Sequence, residues 1–198
     1  MTLDETGQSR PSSDCSRDGD HTPSVVIVAD SDPAVTDEIA TVLRERYTVR
    51  SAYNSADAFA SLDADVGVAL FDPDIPGLSV QAVRKRTRTE TVDCQVAALT
   101  DEPLDIDATR FDDCLVKPVA SDHLVSTVDR LSRRAEYRTT LETYYQTASE
   151  HANTTDSDRR SELDDRLARL DQHLDDIFRD LEGSDAYDTA LRELELDS

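Results

Sequence analysis

Short runs of apolar residues recur along the first two thirds of the chain, and polar or charged residues follow them closely. The run Val66–Phe71 is followed by Asp72, and the run Val25–Val28 leads through Ala29 to Asp30. Unbroken apolar runs of this length are typical of strands buried on both faces of a parallel sheet. The pattern predicts three further strands, at Thr48–Ala52, Gln95–Leu99 and Cys114–Val116.

Between these strands the apolar positions recur at a spacing of three and four, which is the period of an amphipathic helix. Pro33 suits the first turn of one such helix, and Asp32 suits its cap. Further helices are predicted near 56–62, 80–85 and 104–110, and a last one, capped by Ser121 or Asp122, carries Leu124, Val125, Val128 and Leu131. Five strands alternating with five helices over about 110 residues predict an α/β fold, a doubly wound five-stranded parallel sheet of the flavodoxin-like type.

Beyond residue 132 the pattern is purely helical. A break at Asn153–Ser157 separates two helices, and Gly183 is predicted to end the second. The second helix repeats apolar residues at four and three, as a helical hairpin or a coiled coil does, at Leu163, Leu167, Leu170, Leu174, Ile177 and Leu181. Residues 1–23 are too polar to form a core and are predicted to be a disordered tail. The predicted domains are therefore 1–23, 24–132 and 133–198.

The formal net charge is -22, with 43 Asp and Glu against 21 Lys and Arg. The acidic bias is spread over the whole chain and resembles that of proteins from extreme halophiles, so it indicates habitat more than function. Three cysteines without a CxxC pair fit a reducing cytoplasm. No apolar run approaches the roughly 20 residues of a membrane span, and no signal sequence is evident, so we expect a cytoplasmic protein without a membrane partner.

The predicted strands bring four polar side chains to one edge of the sheet. Asp30, Asp72, Thr100 and Lys117 each follow or end a strand, and the carboxyl ends of parallel strands meet at one edge. Clustered carboxylates repel unless a cation neutralises them, and Mg²⁺ does this with one or two carboxylates plus a phosphate. A carboxylate beside Mg²⁺ and a lysine can attack phosphorus and become an aspartyl phosphate.

These residues lie in segments that together resemble the receiver domain of two-component response regulators. The segments are VVIVADSDP at 25–33, VALFDPDIPGLS at 68–79, ALT at 98–100 and LVKPV at 115–119. The resemblance implies a signalling protein rather than an enzyme, with a sensor histidine kinase as partner and Mg²⁺ as cofactor. It implies that Asp72 is the phosphoacceptor, that Asp30, Asp72 and the backbone carbonyl of Asp74 bind Mg²⁺, and that Lys117 and Thr100 contact the phosphoryl group. It also implies a cis bond between Lys117 and Pro118.

The sequence departs from this family at three positions. Ser31 replaces the second of two adjacent acids, so Asp32 is an alternative ligand through water, although helix capping is the favoured interpretation of Asp32. After Thr100 the family usually has a small residue, and here Asp101 places a negative charge near the path of an anionic phosphodonor. Cys114 stands where the family has an aromatic switch residue.

The helical tail resembles the HalX domain that follows receivers in haloarchaeal regulators, on the run RRAEY at 133–137 and the later leucine repeats. The resemblance suggests output through a homodimer or a protein partner; an ordinary coiled-coil spacer is the alternative. Two other functions stay open at this stage. One is a transcription regulator that binds DNA through arginines of the tail, and the other is a pseudo-receiver scaffold that is not phosphorylated.

Overall fold

The computed structural model describes the backbone of residues 25–89, 94–104 and 110–196, and the side chains of 25–86, 94–104 and 110–181. The tail predicted for 1–23 lies outside these residues, as does most of the helix predicted near 104–110. The described strands are β1 (Val25–Ala29), β2 (Thr48–Ala52), β3 (Val66–Phe71), β4 (Gln95–Thr100) and β5 (Asp113–Val116). The described helices, numbered in chain order, are α1 (Pro33–Leu43), α2 (Ser55–Ser61), α3 (Val80–Thr89), α4 (Ser121–Asn153) and α5 (Ser157–Leu196).

The strands form one five-stranded sheet in the order β2-β1-β3-β4-β5, and every pair is parallel. The predicted flavodoxin-like sheet is therefore confirmed. Helices cover both faces of the sheet, and successive side chains of a strand point to opposite faces. Ile27 and Phe71 pack with α2 and α3 on one face, whereas Val28 and Leu70 pack with α1 and α4 on the other.

The start of α1 agrees with its predicted cap. Pro33 is the first helical residue, and the Asp32 carboxylate accepts a hydrogen bond of 2.8 Å from the amide of Ala34. The predicted cap of α4 is wrong: the capping position is Ala120, which is extended and makes no side-chain hydrogen bond to the helix. Ser121 is instead the first residue of α4, so neither Ser121 nor Asp122 caps it.

The last helix of the sheet domain continues directly into the helical region. Helix α4 runs unbroken for 33 residues and packs against the 40-residue α5 across a break at residues 154–156. Of the two predicted alternatives, the chain itself forms a helical hairpin. Gly183 does not end α5, which continues to Leu196. No described helix is long and apolar enough to cross a membrane.

Candidate functional site

Strand register brings Asp30 and Asp72 side by side. Ala29 pairs with Phe71, so the residue that follows each strand end emerges at the same level of the sheet edge. Both residues are buried, with 2% of Asp30 and 7% of Asp72 exposed. Two neighbouring buried carboxylates repel each other strongly unless a positive charge lies between them.

Lys117 supplies that positive charge. Its ammonium Nζ lies 2.8 Å from Asp72 Oδ2 and 3.1 Å from Asp30 Oδ2. The Lys117 amide donates to the carbonyl of Thr100 at the end of β4, and the Lys117–Pro118 peptide is cis, as the resemblance implies. The sheet edge therefore holds one ammonium between the carboxylates of Asp30 and Asp72. We call these two groups the inner carboxylates.

The inner carboxylates have matching hydrogen bonds on their other oxygens. Asp30 Oδ1 accepts from the amide of Asp32 at 2.8 Å, and Asp72 Oδ1 accepts from the amide of Asp74 at 2.7 Å. Each carboxylate is thus fixed by the backbone two residues ahead on one oxygen and by Lys117 on the other. This arrangement orients both Oδ2 atoms toward the same cation.

The electrostatics of Lys117 follow from these contacts. Burial lowers the pKa of Lys117, but hydrogen bonds to Asp72 and Asp30 and the charges of both carboxylates outweigh it, so the net pKa is raised. The lysine is therefore protonated at neutral pH. Within this triad of two carboxylates and one ammonium, one negative charge remains in excess.

The inner carboxylates fit Mg²⁺ by their donor chemistry. Mg²⁺ prefers oxygen ligands and usually keeps several waters, so one or two carboxylates suffice. Both Oδ2 atoms already converge on one cation, and the excess negative charge favours a second. Among the described residues no group of three or more His, Cys, Asp or Glu side chains is arranged as a metal site. The two carboxylates here with the donor chemistry for Mg²⁺ are those of Asp30 and Asp72.

The side chains of Thr100, Asp32 and Cys114 make their described contacts outside the cluster of Asp30, Asp72 and Lys117. Thr100 Oγ1 donates to the carbonyl of Glu102 at 3.0 Å, so its hydroxyl is held within its own turn. The Asp32 carboxylate accepts from the first turn of α1, which supports its role as a cap. Cys114 packs against the core on the α2 and α3 side of the sheet.

Three long-range contacts that the sequence did not predict fix α4 to the sheet domain. Arg130 of α4 forms an ion pair with Asp113 at the start of β5, and both residues are 8% exposed. Asp129 accepts hydrogen bonds from Tyr47 and from Arg46, the latter at 2.9 Å. Burial raises the pKa of Tyr47, and the hydrogen bond to Asp129 and its charge raise it further. Periodicity gave no signal for these contacts, because it does not show which charges face each other.

Contacts between histidine and carboxylate side chains join α4 to α5. His151 Nε2 lies 3.0 Å from Asp164 Oδ1, and His173 Nε2 lies 3.0 Å from Glu136 Oε1. Tyr137 and Phe178 also approach across the hairpin, with ring centroids 6.4 Å apart. Both histidines therefore join the two helices.

Comparison with known proteins identifies the fold. The chain matches the receiver domain of a Methanospirillum hungatei response regulator (CheY-like) at a TM-score of 0.50, with 19% identity, over 58% of this chain and 98% of that one. A signal receiver domain from Vibrio parahaemolyticus matches at a TM-score of 0.52, with 16% identity, over 61% of this chain and 97% of that one. The sheet domain thus has the fold of response regulator receiver domains.

A haloarchaeal relative is also found by sequence. Over 131 residues the chain is 33% identical to a Haloferax volcanii protein named "Putative transcriptional regulator". The match covers 65% of this chain and 22% of the relative, so this chain matches less than a quarter of that protein. No protein-family model matches the chain.

Proposed function

We propose that this chain is a response regulator of a two-component system, in which a histidine kinase transfers a phosphoryl group to Asp72. The observation that carries the proposal is the Lys117 ammonium held between Asp30 and Asp72 at the carboxyl edge of a parallel sheet. Ligands of open α/β sheets bind at this edge. The receiver fold supports the proposal.

In the proposed transfer, a carboxylate oxygen of Asp72 attacks the phosphorus of a phosphohistidine. The new bond joins that oxygen to phosphorus, and the bond between phosphorus and the imidazole nitrogen breaks. The imidazole nitrogen keeps the electron pair. Lys117 is placed to neutralise charge on the phosphoryl oxygens, because its ammonium already lies 2.8 Å from Asp72 Oδ2.

Mg²⁺ would be held by Asp30, Asp72 and the carbonyl of Asp74, and it would supply further neutralisation of the phosphoryl charge. Asp30 suits this role because its Oδ1 is fixed by a backbone amide while its Oδ2 faces Lys117. Ser31 contributes a hydroxyl where the family has a second acid. We therefore expect weaker Mg²⁺ binding than two adjacent acids would give.

Output would pass through the helical hairpin. Helix α4 begins at Ser121, four residues after Lys117, and continues unbroken into the hairpin. The hairpin would signal by self-association or by binding a protein partner, as expected for a HalX-like domain. A shift of Lys117 would thus act on the first turn of the helix that forms half of the hairpin.

The deciding experiment is intact-mass analysis after incubation with acetyl phosphate and Mg²⁺ in high salt. We expect the wild type to gain one phosphoryl group and Asp72→Asn to gain none. Asp74→Asn is the matched control, since the contact of Asp74 with Asp72 is made by its backbone amide. A wild type that gains no mass and shows no Mg²⁺-dependent thermal shift would favour the pseudo-receiver scaffold.

A transcription regulator that binds DNA is the second candidate, and the name of the Haloferax relative favours it. The arginines of the hairpin limit this candidate. Arg133 pairs with Asp180 at 2.5 Å, Arg159 pairs with Glu150 at 2.7 Å, and a guanidinium nitrogen of Arg160 donates to the carbonyl of Thr154 at 2.8 Å. DNA phosphates would compete with these three contacts, two of which are exposed ion pairs. A promoter-fragment titration at several salt concentrations tests this, since each phosphate contact steepens the salt dependence.

A further inference from the structure

A third carboxylate lies at the mouth of the candidate site. Asp101 follows the last residue of β4, and its Oδ1 lies 3.8 Å from Lys117 Nζ. This separation is within ion-pair range but beyond hydrogen-bond range. Asp101 therefore acts on Lys117 through its charge.

Exposure orders the charged groups from the inside of the site to the outside. The exposed fraction of the side chain is 2% for Asp30, 10% for Asp72, 14% for Lys117 and 81% for Asp101. Asp101 is the outermost group, so an anion that approaches Asp72 past Lys117 comes under its field. The proposed transfer gives roles to the inner carboxylates and Lys117 and none to Asp101, which adds a further negative charge to a site that already has one in excess.

We propose that Asp101 is a charge gate that selects the phosphodonor at low ionic strength, where its exposed charge is not screened. It opposes the entry of free dianions such as acyl phosphates, and it favours donors that carry positive charge beside the phosphoryl group, as a phosphohistidine on a basic protein surface does. This inference rests on the proposed function. It adds a specificity-determining residue that does not take part in bond making.

The size of the effect follows from Coulomb's law. If about 7 Å of water separates the Asp101 carboxylate from a bound anion, removing the Asp101 charge improves the binding of a monoanion about threefold and of a dianion about eightfold. In 1 M salt the Debye length falls to about 3 Å, so the gain should shrink below about twofold.

The first experiment measures anion binding without any chemistry. Inorganic phosphate at pH 8, where it is mainly a dianion, is titrated into the full chain while the amide resonances of Asp72 and Lys117 are followed by NMR. We expect Asp101→Asn to lower the Kd about eightfold in dilute buffer and less than twofold in 1 M salt. Asp101→Glu should behave like the wild type. Glu102→Gln is the matched control, because it removes one exposed charge from the adjacent residue.

The second experiment compares two small phosphodonors by intact mass. Acetyl phosphate is a dianion, and phosphoramidate carries one net negative charge at neutral pH. Asp101→Asn should accelerate labelling by acetyl phosphate about eightfold and labelling by phosphoramidate about threefold. Unchanged circular dichroism in each buffer confirms that all variants remain folded.

The outcomes separate the gate from the proposed function. If Asp101→Asn leaves phosphate affinity unchanged, or Glu102→Gln raises it equally, the gate is refuted whether or not Asp72 is phosphorylated. If Asp101→Asn alone tightens phosphate binding but no form gains phosphoryl mass, the gate stands as an anion filter and the proposed phosphotransfer fails. Equal acceleration of both donors would refute selection by donor charge.

Discussion

Replacing Lys117 with methionine removes the ammonium that touches both inner carboxylates while keeping a side chain of similar length. In the wild type the Lys117 side chain is 14% exposed and makes charge-assisted hydrogen bonds of 2.8 Å and 3.1 Å. The variant leaves the carboxylates of Asp30 and Asp72 adjacent and without that cation. We therefore expect a substantial loss of folding stability.

The magnitude follows from the burial of the partners. Removing one member of a buried ion pair typically costs 3–5 kcal/mol, because the remaining charge stays desolvated. Asp72 keeps some access to water, with 10% of its side chain exposed, so the lower end applies. We expect Lys117→Met to lower the free energy of unfolding by about 3 kcal/mol.

The assay is urea unfolding at constant salt, with a second substitution as the internal test. Asp30→Asn should destabilise the wild type, because it weakens the bond to Lys117. In the Lys117→Met background the same change should stabilise by about 1 kcal/mol or more, because it removes an uncompensated buried charge. Lys85→Met removes an exposed ammonium from α3 and is the control; it should change stability by less than about 1 kcal/mol, as expected for an exposed charge. Equal destabilisation by Asp30→Asn in both backgrounds would refute this account of the site.

The stability difference between the wild type and Lys117→Met depends on pH with a defined sign. The pKa of Lys117 in the folded chain is raised above its unfolded value of about 10.4. A group with a raised folded pKa contributes its full stability below the unfolded value and loses it as the pH rises through the folded value. The stability difference between wild type and Lys117→Met should therefore be the same at pH 7 and pH 9, and it should shrink only in strong alkali.

Three further predictions concern the helices around the site. Arg130→Met should lower the free energy of unfolding by about 3 kcal/mol, because its ion pair with Asp113 is buried. Adding Asp113→Leu to that variant should restore most of the lost stability. Arg133→Met, in the exposed pair with Asp180, should cost less than about 1 kcal/mol in the same urea assay. Tyr47→Phe should cost about 1 kcal/mol and remove from an absorbance titration a tyrosine whose pKa is raised above that of a free tyrosine. Asp32→Ala should cost about 1 kcal/mol through its lost cap and leave the Mg²⁺-dependent thermal shift intact; a lost shift would instead make Asp32 a metal ligand.

The sheet and the inner triad could be predicted from sequence for a definite physical reason. Apolar runs fully buried in a parallel sheet stand out from their surroundings, and Asp30 and Asp72 directly follow two of them. Parallel pairing then requires their carboxylates to meet, whatever lies between them in the chain. The same logic placed Lys117 at this edge, directly after β5.

Features that depend on competing local energies were harder to predict. A mid-helix glycine costs only about 1 kcal/mol relative to alanine, so Gly183 did not end a helix whose neighbours favour continuation. The backbone after Pro118 puts Ala120 in the capping position of α4, ahead of the better capping residues Ser121 and Asp122. The contact between Asp113 and Arg130 depends on how α4 crosses the sheet, which no local pattern encodes.

The unbroken α4 makes the orientation of the hairpin a matter of residue count. Each residue of an α-helix turns the chain by about 100° and advances it by about 1.5 Å. One residue inserted after Leu131 would swing the hairpin about a quarter of a turn around the helix axis, whereas seven would return it within about 20° of its original facing and move it outward by about 10 Å. Such an insertion series would separate an output that needs a particular rotational phase from one that needs only proximity.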